Sequence, residues 1–222
     1  MTRTRLAVFD MAGTTVDDRI NGVPVVLKSY DDAFRNHGVE VPMMVLNAHR
    51  GRDKRTVIGE LGGDKADEIY VDFIGFLKGN ISEIREMEGA PGAFKKLKEK
   101  GVKTVVSTGF PVEIAEPLVE HLGWVKDGLV DSWTCSELAG ASRPDPAMII
   151  DSMERYGVED PGGVIKVDDT MKGIEEGQNA GVYTIAVLTG TQSIQQLDGA
   201  GPDTILRSVK DIPGHLRKKE ML

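Results

Sequence analysis

The stretch VFDMAGTTVDD, residues 8–18, constrains this chain more than any other. Leu6, Ala7, Val8 and Phe9 form a short apolar run of the kind that makes a buried strand. The run stops at Asp10, and Gly13 with two threonines follows, which is loop chemistry. A carboxylate is thereby set at the carboxyl end of a strand, beside a loop expected to offer free backbone N–H groups. In open α/β sheets, ligands bind at that edge. An aspartate there serves as a nucleophile, a metal ligand or a helix cap, and a short motif alone does not choose among them.

The pattern after this strand is helical. Residues 23–37 place Val26, Tyr30, Ala33 and Phe34 at helical spacing, and Gly38 ends the run. Residues 42–47, the stretch up to Leu61, and one or two segments within residues 64–87 read as further helices, with Gly62 and Gly63 as a stop. Residues 17–88 therefore read as an all-helical insert without a strand. From Gly89 onward, strands and helices alternate. VKTVV, VIKV and VYTIAV read as strands and LVDSWTCSE as a short one, each followed by helical or loop sequence. This alternation implies βαβ units and a parallel sheet. The expected fold is α/β, a doubly wound parallel-sheet core from residues 1–16 and 89–222 carrying a helical cap of residues 17–88.

Four polar clusters fall at the ends of core elements: Asp10 to Thr15, Ser107 to Gly109, Ser142 with Arg143, and Asp168 to Thr170. Strands of a parallel sheet point the same way, so these ends share one edge. Each cluster has an ordinary structural explanation, such as a helix cap at Thr108 or a surface ion pair at Arg143. Their coincidence on one edge favours a site. Asp10, Asp168 and Asp169 are hard oxygen donors that suit Mg²⁺ better than Zn²⁺. Thr108 supplies a hydroxyl, and Arg143 a fork that matches phosphate oxygens. A carboxylate nucleophile, a metal, a hydroxyl and an arginine together describe phosphoryl transfer through an aspartyl phosphate.

Composition removes several alternatives. The formal net charge is −8, which argues against nucleic acid or an anionic membrane as the main partner. No apolar run is long enough to span a bilayer. The first strand begins almost at once, leaving no room for a signal peptide, so the expected location is cytoplasmic. The single cysteine, Cys135, excludes an intrachain disulfide and reads as a small buried residue. His37, His121 and His215 sit in helical surface patterns.

DMAGTT, STG, the lone Arg143 and VDDTMKGIEEGQNAG, in this order, resemble the motifs of the haloacid dehalogenase-like hydrolases. The resemblance covers the whole chain, with residues 17–88 as the cap. It implies a Rossmann-like core, Mg²⁺, and Asp10 as the nucleophile. Metal binding would fall to Asp10, the Ala12 carbonyl and Asp169, with Asp168 as an outer-sphere ligand. Thr108 and Arg143 would hold the phosphoryl group, alongside Gly13 and Gly109 of the same loops. It also suggests a homodimer formed through the cap.

Two departures narrow the resemblance. Most phosphatases of this superfamily carry an aspartate two residues after the nucleophile, to protonate the leaving oxygen, and a lysine at the third motif. This chain has Ala12 and Arg143. Both departures are those of the phosphonoacetaldehyde hydrolase group, in which a cap lysine forms a Schiff base with the substrate aldehyde. Lys54, in HRGRDKRTV, falls at that position, while Val57 stands where the group has a histidine and His49 lies nearby. Arg50, Arg52 and Arg55 crowd Lys54, and it lies near a helix start; both features disfavour the protonated amine. An imine would draw electrons from the C–P bond, and a carbon leaving group needs no acid at position 12. The expected substrate is a carbonyl phosphonate. The competing expectations are a phosphate-ester phosphatase or phosphomutase of the same fold, and a non-catalytic phosphometabolite-binding protein.

Overall fold

The computed structural model describes residues 2–222. Strand β1 (Leu6–Asp10) is followed by three two-residue strands, β2 (Val16–Asp17), β3 (Arg19–Ile20) and β4 (Val23–Pro24). Helices α1 (Val25–Asn36), α2 (Met43–Ala48), α3 (Lys54–Gly62) and α4 (Ala66–Asn80) come next, then β5 (Arg85–Glu86). The remainder alternates: α5 (Ala90–Lys98), β6 (Lys103–Thr108), α6 (Val112–Leu122), β7 (Ser132–Cys135), α7 (Ser136–Ala139), α8 (Ala147–Tyr156), β8 (Val164–Asp168), α9 (Met171–Asn179), β9 (Tyr183–Val187), α10 (Ile194–Gly199), β10 (Thr204–Leu206) and α11 (Ile212–Lys218).

Six strands form one parallel sheet in the order β10-β9-β8-β1-β6-β7. The chain builds outward from β1 through β6 and β7, then returns to the other side of β1 for β8, β9 and β10. This is the doubly wound Rossmann order, and it reverses between β1 and β8, where such sheets open a crevice. Asp10 ends β1 and Asp168 ends β8, so the two carboxylates flank that point.

Every residue of β1 is buried, as expected for a central parallel strand covered on both faces. Its side chains alternate between two cores. Ala7 and Phe9 join Phe94, Leu97, Val106, Val167 and Leu216 on one face. Leu6 and Val8 join Val105, Ile149, Met153 and Val164 on the other. Phe94 of α5 stands edge-on to both Phe9 and Trp124, with ring centroids 5.4 and 5.2 Å apart.

None of the strands β2 to β5 joins the six-stranded sheet. They form two short antiparallel ribbons, β2 with β5 and β3 with β4. The expectation of a strand-free insert misses these ribbons because two-residue strands leave no period-2 signal. Pro24 also delays α1 by two residues, as the position before the first helical turn. Within the insert the helical spacing holds: Val26, Tyr30, Ala33 and Phe34 of α1 are buried, and Tyr30 stacks on Phe73 of α4 at 4.5 Å. Among the described residues no helix is long and apolar enough to cross a membrane. Helix α10 had no expected counterpart, although Ser193 and Gln196 form a capping box at its start.

Phe94 ties the β1 face to α5 and Trp124, so Phe94→Ala should lower stability by about 3–5 kcal/mol, the usual range for emptying a buried aromatic site. Urea unfolding followed by tryptophan fluorescence would measure it. A loss below about 1 kcal/mol would contradict this packing role.

Candidate active site

The loop after β1 is tight because one carbonyl organises it. The Met11 oxygen accepts from the N–H groups of Thr14, Thr15 and Val16 at 3.1, 2.9 and 2.8 Å, and Gly13 N–H donates to the Val16 carbonyl at 2.8 Å. The expectation that this loop offers free N–H groups is therefore corrected for residues 13–16, whose donors are consumed within the turn. Gly13 contributes space instead. Its φ is +95°, and a Cβ there would lie 2.5 Å from Asp169 Oδ2. A Cβ at Gly190 would overlap the same carboxylate.

Asp10, Asp168 and Asp169 each present a carboxylate oxygen within 4.8 Å of the others, and all three residues are buried. Burial raises the pKa of Asp10, and Asp168 adds to the rise against the pull of Arg143. Asp169 is raised well above the carboxylate range by burial together with Asp10 and Asp168. Burial would raise Asp168 too, but Arg143, Lys166 and its bonds to Thr170 hold it below the usual value. Thr14 Oγ1 donates to Asp169 Oδ1 at 2.9 Å, while Asp169 Oδ2 is buried without a hydrogen-bond partner. Three clustered carboxylates with an unsatisfied oxygen are the donor set of a hard divalent cation, and the residues fit Mg²⁺.

Arg143, on the loop between α7 and α8, is fully buried and faces Asp10. Its Nη1 donates to Asp10 Oδ1 at 2.6 Å and lies 3.5 Å from Asp168 Oδ2. Thr108 ends β6, and its Oγ1 accepts from Phe110 N–H at 3.1 Å. Gly109 lets the cap come close: a Cβ there would fall 2.6 Å from the Arg52 carbonyl oxygen. Gly51 does the same from the other side, because a Cβ would meet Thr170 Oγ1 at 2.6 Å.

The cap loop of residues 49–53 thus sits on the edge of the sheet, and it brings in Lys54, the first residue of α3. Asp53 caps that helix, accepting from Thr56 N–H at 2.7 Å. Lys54 is 4 % exposed; its Nζ donates to the Arg52 carbonyl at 2.7 Å and lies 5.6 Å from the Phe110 ring centroid. Burial first, then Arg50 and Arg143, lower its pKa to about 8. The sequence expectation named the effect but not its main source. Arg52 pairs with Glu60 and Arg55 with Asp67, and of the three neighbouring arginines it is the Arg50 charge that lowers the pKa of the amine.

Asp10, Ala12, Arg50, Gly51, Lys54, Thr108, Gly109 and Arg143 all line one small cavity of about 20 Å³. That is room for about one water. Val57 is buried in the hydrophobic core, and His49 Nδ1 faces Arg52 Nη1 at 2.7 Å.

Three residues of this region escaped the sequence reading as site components. Arg50 donates to the Ala12 carbonyl at 3.1 Å and to Thr191 Oγ1 at 3.3 Å, and lies 3.5 Å from Asp18. Lys166 lies 3.2 Å from Asp168 Oδ2, and Glu176 accepts from Arg143 Nε at 2.9 Å. Lys166 and Glu176 sit mid-element in apolar or helical patterns, where a charge gives no sign of its partner. The glycines at 173 and 177 were the available signal.

Taken together, the site offers a buried carboxylate, cations that neutralise anionic oxygens, and a buried amine from the opposite wall. The model of the haloacid dehalogenase-like hydrolases matches residues 4–181. The phosphonoacetaldehyde hydrolase of Bordetella pertussis is 29% identical over 206 residues, covering 84% of this chain and 73% of that protein. Among solved structures, a phosphonoacetaldehyde hydrolase-like protein from Oleispira antarctica superposes with a TM-score of 0.84 at 21% identity, covering 98% and 94% of the two chains. A predicted phosphoglycolate phosphatase from Haemophilus somnus 129PT gives 0.80 at 19%, covering 97% and 99%. At these identities the two structures bear on the fold alone. With the match over residues 4–181, the chain belongs to the haloacid dehalogenase-like hydrolases.

Proposed function

We propose that the chain hydrolyses the C–P bond of a carbonyl phosphonate such as phosphonoacetaldehyde, through an imine on Lys54 and a phosphoryl group on Asp10. The observation that carries this reading is that Lys54, buried with a pKa of about 8, lines the same cavity as Asp10, Thr108 and Arg143. Likeness to phosphonoacetaldehyde hydrolases over most of the chain supports it.

In this reading the neutral Lys54 amine adds to the substrate carbonyl and water leaves, giving an imine that is protonated to an iminium. An Asp10 oxygen then attacks phosphorus. The C–P bond breaks and its electron pair passes to carbon, forming an enamine. The enamine takes a proton at that carbon, and water releases acetaldehyde from Lys54. A second water cleaves the aspartyl phosphate, freeing phosphate and restoring Asp10. Ala12 is consistent with this sequence, because no leaving oxygen has to be protonated. Arg143 and Thr108 would hold the phosphoryl oxygens. Asp10, the Ala12 carbonyl and Asp169 would hold Mg²⁺, with Asp168 behind them; the Ala12 oxygen keeps a second lone pair beside the Arg50 bond. When bound, the ion would offset the charge shared by the nucleophile and the phosphoryl group. Residues 17–88 act as the cap, excluding water from the iminium.

A phosphate-ester phosphatase or phosphomutase is the second reading, favoured by Val57 where the phosphonoacetaldehyde hydrolase group has histidine. A panel of phosphonates and phosphate esters separates the two. On phosphonoacetaldehyde, Lys54→Arg keeps the charge but cannot form the imine, so kcat/KM should fall at least a thousandfold. For the wild type, kcat/KM should rise with pH, because the amine is protonated below about pH 8 and neutral above, and should level off beyond it. An unchanged Lys54→Arg enzyme, or efficient turnover of a phosphate ester alone, would contradict the first reading.

Metal binding has its own test. Gly13 and Gly38 both have positive φ, but only Gly13 abuts Asp169. Both Gly→Ala variants should lose about 1 kcal/mol of stability or more. Only Gly13→Ala should weaken Mg²⁺ binding, at least tenfold by titration calorimetry, and equal affinities in the two variants would contradict the assignment.

A further inference from the structure

A fully buried ionic layer lies behind Asp10, and helix α9 is shaped to admit it. A Cβ at position 173 would overlap the Asp168 carboxylate, and one at 177 would fall 2.9 Å from Lys166 Cβ and 2.6 Å from Thr184 Cγ2. Glycines at these two positions, one turn apart, open a channel on the face of α9 toward β8. Glu176 turns inward beside them and is wholly buried. Its Oε2 accepts from Arg143 Nε at 2.9 Å and lies 2.8 Å from Lys166 Nζ. Lys166 Nζ also donates to Ser107 Oγ at 3.0 Å.

These contacts define the orientation of Arg143. The residue stands on a loop, which by itself does not fix a planar fork to a fraction of an ångström. Nε is held by Glu176, and Nη2 donates to the Ser107 carbonyl and Oγ at 3.2 and 3.0 Å. With those two edges of the guanidinium fixed, Nη1 is directed at Asp10 Oδ1, 2.6 Å away. Lys166 joins the anchors to each other through Glu176 and Ser107.

Stability alone gives little reason for this arrangement. Desolvating a buried ion network consumes most of what its attractions return, and an apolar interface of similar volume is often as stable. Glu176 Oε1 is moreover buried without a hydrogen-bond partner, which adds to the cost. The contacts do converge on one outcome, the aim of Arg143 at Asp10.

We propose that Glu176 is a positioning residue for phosphoryl transfer, acting through the guanidinium of Arg143 and braced by Lys166. The assignment rests on the functional reading above, in which Asp10 receives the phosphoryl group and Arg143 steadies it. It adds Glu176 and Lys166, neither of which touches the cavity, to the groups on which turnover depends.

The test is a double-mutant cycle on the best substrate of the phosphonate and phosphate-ester panel. Glu176→Ala should lower kcat about 10- to 100-fold, the scale of a 1 Å misplacement, with KM changed less than about threefold. Glu176→Gln retains an oxygen acceptor for Nε and should recover part of the loss. Arg143→Lys has no guanidinium to orient, so in that background either Glu176 substitution should cost less than about threefold more. A purely structural role would give losses that multiply, and those, or an unchanged kcat in Glu176→Ala, would overturn the proposal. If Glu176→Ala fails to fold, the cycle with Glu176→Gln decides on the same criterion. A wild-type protein inactive on the whole panel would instead overturn the functional reading, and this role with it.

Discussion

The rest of this structure depends on how one sheet edge accommodates buried charge. Asp10, Asp168, Asp169 and Glu176 are all buried there; burial and the neighbouring Asp168 raise the pKa of Asp10, and burial with Asp10 and Asp168 raises that of Asp169. Arg50 opposes Asp169, and the fully buried Arg143 and Lys166 oppose the other three. Neither is optional in this arrangement: removing one partner of a buried pair leaves its counterpart charged and dry. The parallel sheet brings the groups together, because β1 and β8 are neighbours that end at the same level on opposite sides of the reversal in strand order. The glycines at 13, 173, 177 and 190 then let the carboxylates and Lys166 pack without a Cβ in the way.

The cap completes the charge balance from the other side. Arg50 reaches the Ala12 carbonyl and Thr191 on the core, and Gly51 and Gly109 let the two backbones meet. Lys54 is buried beside this contact, and burial is the main cause of its lowered pKa. In the proposed reading, the contact between residues 49–53 and the sheet edge is therefore also what favours the neutral amine.

Much of this was legible in the chain itself. An apolar run stopped by Asp10, and the run VIKV stopped by two aspartates, are strand ends that a parallel sheet must bring to one edge. Lys54 was legible from its place in the cap segment and from its basic neighbours, although Arg52 and Arg55 turn out to face Glu60 and Asp67. The ribbons β2–β5 were not legible, because pairing over two residues is set by tertiary contacts rather than by periodicity. Lys166 and Glu176 were hidden for a related reason. One lies in an apolar strand and the other in a charge-rich helix, and only the strand order shows that they meet. The free N–H groups expected after Asp10 are not found at residues 13–16, because the Met11 carbonyl gathers three of those donors and the Val16 carbonyl the fourth.

The central claim is that a lysine on the cap and an aspartate on the core act on one substrate. Reductive trapping tests it most directly. Sodium borohydride added during incubation with phosphonoacetaldehyde should inactivate the enzyme irreversibly, and mass spectrometry of its peptides should find the reduced adduct on Lys54. Inactivation should require both substrate and borohydride. Full activity after such treatment, in a protein that demonstrably turns over phosphonoacetaldehyde, or an adduct on another lysine, would contradict the account.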